Sequence, residues 1–168
     1  MSLRPDLVEC WVFRVPADET EPEFLLIRRA ADRIFPGLWQ PVTGGLDPGE
    51  AAPVTARREV AEETGLAGAD IEALFDLDQV GSFYAEDAGT IVNSVIFAIR
   101  IRPDATPGLS SEHDGLEWVD GDAAVERSVW PPYRESIERI RRLVADPDWA
   151  AWFELDADGL RIARRPRS

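Results

Sequence analysis

The stretch from Gly44 to Leu66, GGLDPGEAAPVTARREVAEETGL, constrains this chain more than any other. Two glycines open it, and Gly65 stands just before its end. Between them the residues read as a loop feeding one short helix. Pro53 suits the first helical turn, where a missing N–H costs nothing. Gly65 suits the left-handed position just past a helix end. Helical spacing then puts Glu59, Glu62 and Glu63 on one face.

Carboxylates so placed repel. Like charges at i+3 and i+4 destabilise a helix by about 0.2–0.5 kcal/mol per pair. Arg58, four residues before Glu62, offsets only part of this. Two readings follow. A solvated acidic face is the ordinary fate of a charge run. The other reading puts a hard divalent cation over the carboxylates, as magnesium sits among a few carboxylate oxygens, several waters and a substrate phosphate. Glu50, delivered by the loop, is placed to join that cluster.

The full spacing decides between them. Gly44, Glu50, Arg58, Glu59, Glu62, Glu63 and Gly65, with Val60 and Leu66 at the hydrophobic places, fit Gly-x5-Glu-x7-Arg-Glu-hydrophobic-x-Glu-Glu-x-Gly-hydrophobic throughout. Residue frequencies make a chance match about one in a billion per start position. This stretch resembles the Nudix box. The resemblance implies an α+β fold, an α/β/α sandwich with a mixed sheet between helices, and an enzyme that cleaves diphosphate linkages. It implies Mg2+ as cofactor, with Mn2+ able to substitute. Glu59 and Glu63 would be the principal ligands, Glu62 and Glu50 would complete the shell, and Arg58 would orient the carboxylates through ion pairs. Gly44 and Gly45 would let the backbone approach metal and phosphate. For the general base the candidates are Glu112 and Glu62. Glu112 lies in a loop six residues ahead of Trp118, as in the family's mobile loop. His113, the only histidine, is the runner-up, since an imidazole titrates near neutrality.

The flanking sequence supplies candidate substrate contacts. Arg28 and Arg29 end an apolar strand; one of them is expected to face the site and clamp phosphate, because strand side chains alternate. Trp39 either stacks on a nucleobase or pterin or fills the core. The string Trp-Gln-Pro-Val-Thr-Gly around it is similar to the approach segment of Nudix enzymes acting on dihydroneopterin triphosphate and purine nucleoside triphosphates. Tyr84, 18 residues past Leu66, resembles an aromatic that grips a base in Nudix enzymes cleaving diadenosine polyphosphates. The leading expectation is hydrolysis of a nucleoside triphosphate or dihydroneopterin triphosphate with release of pyrophosphate. The alternatives are a diadenosine polyphosphate or nucleotide-sugar hydrolase, and a non-catalytic Nudix-fold sensor. Such sensors commonly lose box glutamates, and all are present here.

Periodicity predicts strands over 7–15, 24–29, 39–43, 71–84 with a bend near Gly81, 90–102 as a central strand, and 116–119. Helices are expected over the box, over 122–129 capped by Asp120 or Asp122, and over 132–145 opened by Pro131 and Pro132. One domain is expected across 1–168, with a flexible basic end at 161–168. Net charge is −14, and every basic residue is arginine. Such a chain does not bind nucleic acid polymers or anionic membranes broadly, which demand a cationic surface. Its partner is expected to be a nucleotide-like polyphosphate, with a homodimer as a further expectation. A lone Cys10 permits no intrachain disulfide and reads as a buried strand thiol. With no signal peptide or membrane-length apolar run, a cytoplasmic location is expected.

Overall fold

The structure, a computed structural model, describes residues 3–164. Strand β1 (Leu7–Arg14) is its spine. Val8, Cys10 and Val12 belong to one apolar core, and Trp11 and Phe13 to another. Both faces of the strand are therefore buried, as expected for a sheet covered on two sides. The order across the sheet is β3 (Trp39–Gln40), β2 (Glu23–Arg29), β1, β6 (Thr90–Ile101), β5 (Ile71–Ala85), β8 (Glu154–Leu155). Parallel pairing of β1 with β6 among antiparallel neighbours makes the sheet mixed. As anticipated, β6 is central.

One edge of β1 has two partners. Phe13 and Arg14 pair with β2, whereas Leu7–Cys10 pair with β4 (Val42–Gly45). Strand β2 diverges there and pairs along its length with β7 (His113–Val119). The split brings Gly44, opposite Val8, against helix α1 (Ala52–Thr64).

Helix α1 carries Pro53 in its first turn and ends on Gly65 at φ 74°, whose N–H donates to the Ala61 carbonyl. Its Ala56 and Val60 fill the core on one face of the sheet with Val8, Val12, Ile27 and Ile99. On the other face lie α2 (Gly121–Arg127), α3 (Pro132–Ala145) and α4 (Pro147–Ala150). Asp120 caps α2 by accepting from the Ala123 N–H at 2.8 Å. Ile137, Ile140 and Leu143 of α3 pack on Trp11, Phe24 and Leu26. The result is the α/β/α sandwich expected.

Three details differ from the sequence reading. Pro41, which lacks an N–H, separates β3 from β4 where one strand was expected. The register of β5 shifts at its start, between Ile71 and Ala73, and again between Asp76 and Gln79, with Asp78 at φ 52°, rather than at Gly81. Arg161 pairs with Asp76 and Asp78 at 3.0 and 3.2 Å, and Arg139 donates to the Leu77 and Asp78 carbonyls, so the bulge is held from outside the strand. Gly81 instead runs in register with Ser94, where a Cβ would stand 2.8 Å from the serine Oγ. Finally, β7 begins at His113, three residues earlier than expected. Of the basic end at 161–168, residues 165–168 lie outside the described residues.

Candidate active site

Gly44 is where the sheet meets the acidic helix. A Cβ on it would lie 2.0 Å from Cδ of Glu59 and 2.3 Å from Oε1. Only a glycine lets that carboxyl lie against the strand. Its neighbour Gly45 offers its carbonyl to Arg58 Nη2 at 3.0 Å.

Arg58 organises the carboxylates. Its Nε donates to Glu50 Oε1 and its Nη2 to Glu50 Oε2, both at 2.9 Å, in the two-pronged arrangement that suits a guanidinium. Its Nη1 donates to Glu59 Oε1 at 2.7 Å and stands 3.3 Å from Glu62 Oε2. These bonds, those to Glu50 foremost, raise the arginine further above its ordinary range.

Glu50 is held back into its own loop. Oε2 also accepts from the Thr55 hydroxyl at 2.8 Å and the Asp47 N–H at 3.1 Å. Three of its four hydrogen bonds fall on Oε2 and one on Oε1, so Glu50 is committed chiefly to Arg58 and to its own loop. Its acidity agrees: the Arg58 bonds, with those from Thr55 and Asp47, lower it to about 2. Glu50 is the anchor that fixes Arg58. Glu50→Gln is therefore expected to lower the melting temperature by a few degrees and turnover by about tenfold, because it weakens the charge-assisted hydrogen bonds that fix Arg58. Thermal melts and initial rates check it; a complete loss of turnover would make Glu50 a ligand.

Glu59 and Glu63 are the opposite case. Burial raises the pKa of Glu59 despite Arg58. The Glu63 carboxyl is the least satisfied of the group: its Oε2 is buried without a hydrogen-bond partner. Burial first, then the charges of Glu59 and Glu112, push it up to about 8, against the weaker pull of Arg29. Such a carboxyl is either protonated or beside a cation. This chemistry fits a divalent metal: Glu59 and Glu63 would hold it, with the half-exposed Glu62 beside them. Among the described residues no three such groups already converge as a ligand cage.

The candidate substrate contacts divide by sheet face. Alternation along β2 puts Arg29 on the α1 face with Ile27, and Arg28 on the opposite face with Leu26. Arg29 is thus the arginine whose charge reaches Glu63. Arg28 pairs with Asp114 at 2.7 Å and lies over the Trp39 ring at 5.5 Å. Arg127 lies over the same ring at 5.2 Å, and the ring packs on the second core. Trp39 and Arg28 therefore form a cation–π cluster on the face away from the glutamates. Tyr84 is 61% exposed on the β5–β6 hairpin. With β4, β1, β6 and β5 side by side, it stands three strand spacings, about 14 Å, from the strand of Gly44.

Glu112 does reach the cluster: its charge raises both Glu59 and Glu63, its side chain is about half exposed, and Arg33 lies 3.7 Å away. Its loop is stitched to the end of α1, since Gly108 and Ser110 donate to the carbonyls of Thr64 and Glu63 at 2.8 and 3.1 Å. Sequence reading missed this capping, because helix-end carbonyls find such partners at any chain distance. His113, the runner-up base, has a side chain only 2% exposed. It cannot serve a water in the open site.

Comparison with known proteins agrees with this arrangement. Residues 10–140 match the NUDIX domain family model. The chain is 40% identical over 121 residues to an octanoyltransferase of Myxococcus xanthus, a match covering 71% of this chain but only 32% of that protein. It is 29% identical over 122 residues to the rat bis(5'-nucleosyl)-tetraphosphatase, covering 72% of this chain and 80% of the relative. It is 28% identical over 124 residues to the dihydroneopterin triphosphate diphosphatase of Escherichia coli, covering 69% and 81%. The solved structure of the Escherichia coli dihydroneopterin triphosphate pyrophosphohydrolase superposes with a TM-score of 0.64 at 26% identity, covering 80% of this chain and 94% of that one. No described helix is long and apolar enough to cross a membrane. With the box complete, its arginine clamped and its helix set against Gly44, the chain belongs to the Nudix family of hydrolases.

Proposed function

We propose that this chain hydrolyses a diphosphate linkage in a nucleoside triphosphate or dihydroneopterin triphosphate and releases pyrophosphate, using Mg2+ held by Glu59 and Glu63. One observation carries the reading: a buried, unpartnered Glu63 carboxyl stands on the same helix face as a Glu59 carboxyl pressed onto Gly44. A bound divalent cation supplies charge neutralisation at phosphoryl oxygens and a more acidic water. The protein's part is positioning. Arg58, fixed by Glu50 and Gly45, holds Glu59 so that its carboxyl need not reorganise during the reaction. Arg29 lends positive charge beside the cluster for the substrate's phosphates. Glu112, half-exposed next to the pair, accepts a proton from the attacking water.

Two relatives support two substrate classes. The dihydroneopterin triphosphate diphosphatase and the similar Trp-Gln-Pro-Val-Thr-Gly string favour the first. The tetraphosphatase and the exposed Tyr84 favour a dinucleoside polyphosphate. The octanoyltransferase match spans a third of that protein and does not bear on the choice. A substrate panel with Mg2+, resolving pyrophosphate, phosphate and nucleoside monophosphate, separates them. Pyrophosphate from a triphosphate, lost when metal is chelated, is the expected result. Turnover of dinucleoside tetraphosphate alone would select the second class, and turnover unaffected by chelation would reject the site.

A further inference from the structure

Of the groups outside the roles already given, His113 stands out. Its two ring nitrogens are both buried and both lack a hydrogen-bond partner. A buried imidazole in that state costs stability, because each nitrogen has given up water for no partner. The orphan facing it is Glu63 Oε2, 3.8 Å from His113 Nδ1. Two unsatisfied groups thus face each other, about 0.9 Å beyond an ordinary N–H···O length. The other carboxylate oxygen of Glu63 is not enclosed in this way.

The backbone fixes this pairing. His113 lies opposite Arg29 in the β2–β7 ladder, whereas Arg28 lies opposite Gly115. Asp114 is the extra residue of a bulge, and a bulge re-aims side chains. Asp114 pairs with Arg28 on one side of the sheet, and His113 is left on the α1 side under Glu63. The His113 N–H donates to Ser110, whose own N–H donates to the Glu63 carbonyl. Helix end, loop and strand start are therefore tied together around this contact.

We propose that His113 is a positioning residue for Glu63: its Nδ1–H holds Oε2, leaving the other oxygen for the divalent cation. This rests on the cation reading of the site. The Nδ1-protonated tautomer of the ring has its N–H on the side of Glu63, and Oε2 is there to accept it. Partners that hydrogen-bond a ligating carboxylate typically change metal affinity 10–100-fold when removed.

The test is Mn2+ binding to the substrate-free protein, followed by electron paramagnetic resonance of free Mn2+, beside metal-free thermal melts. His113→Phe keeps the ring's bulk and removes the donor; His113→Ala serves if the larger ring does not fit. His113→Asn places an amide N–H near the position of Nδ1. The removing variants are expected to bind Mn2+ 10–100-fold more weakly, with His113→Asn within about threefold of wild type. The metal-free melting temperature of His113→Phe is expected not to fall, since an unpaired buried polar group is gone. Wild-type affinity in the Phe and Ala variants, or an Asn variant as weak as they are, would overturn the assignment. If wild type binds Mn2+ and His113→Phe binds it equally, only this inference fails. If wild type binds none, the cation reading fails with it.

Discussion

Glu63→Gln is expected to reduce Mg2+-dependent turnover by about a thousandfold or more, because a cation's several kcal/mol of charge stabilisation is lost with its ligand. The same substitution is expected to stabilise the metal-free fold at alkaline pH. Folded, Glu63 titrates at about 8; an ordinary glutamate titrates near 4.5. Between these values the folded chain holds more protons than the unfolded one, so stability falls as pH rises through that window. The loss is absent at pH 4 and complete above about pH 8, on the order of a few kcal/mol. Gln has no proton to lose. The variant should therefore melt with wild type at pH 4 and clearly above it at pH 8.5. Glu9, raised to about 7 chiefly by burial, adds a slope of the same sign that the substitution leaves in place. Saturating Mg2+ should flatten the parts due to Glu63 and Glu59, whose pKa burial also raises, and leave that of Glu9. Melts across pH, with and without metal, check both statements. Equal melting at pH 8.5 would show that Glu63 is not held as a buried acid.

Gly44→Ala separates fold from function most cleanly. The added Cβ would fall 2.0 Å from Glu59 Cδ, so the carboxyl must leave its place. The displaced atoms are the far end of a flexible side chain, so the fold yields at little cost. Gly44 does not sit at positive φ, so alanine is not strained there. The expected result is a melting temperature within a few degrees of wild type and turnover down about a hundredfold or more, the usual penalty for a misplacement of about 1 Å. A Gly44→Ala enzyme with normal rates would mean that Glu59 does not work from where it lies.

The box made α1 and its acidic face legible, because a short helix fixes its own side-chain geometry once Pro53 and Gly65 mark its ends. The central place of β6 was legible from its Ile- and Val-rich run. What the sequence hid depends on partners far along the chain. Glu50 read as a ligand because its carboxylate belongs to the pattern; that Thr55, Asp47 and Arg58 all bond it is visible only in three dimensions. Trp39 was left open between base and core; that its ring packs on the second core with Arg127, from a later helix, over it is visible only in three dimensions. His113 read as the start of nothing, since the strand was expected to begin at Leu116. Gly115 was the available signal: a glycine inside a strand marks a bulge or a close approach. A Cβ there would meet both Arg28 and Trp39 at 3.1 Å.

The central claim is that the α1 carboxylates share a cation above Gly44. Crystals grown with Mn2+ and measured at the manganese absorption edge test it most directly. The predicted result is an anomalous peak bounded by the Glu59 and Glu63 carboxylates that disappears in Glu63→Gln. A map with no peak there, or with manganese bound only at Glu50 or elsewhere on the surface, would contradict it.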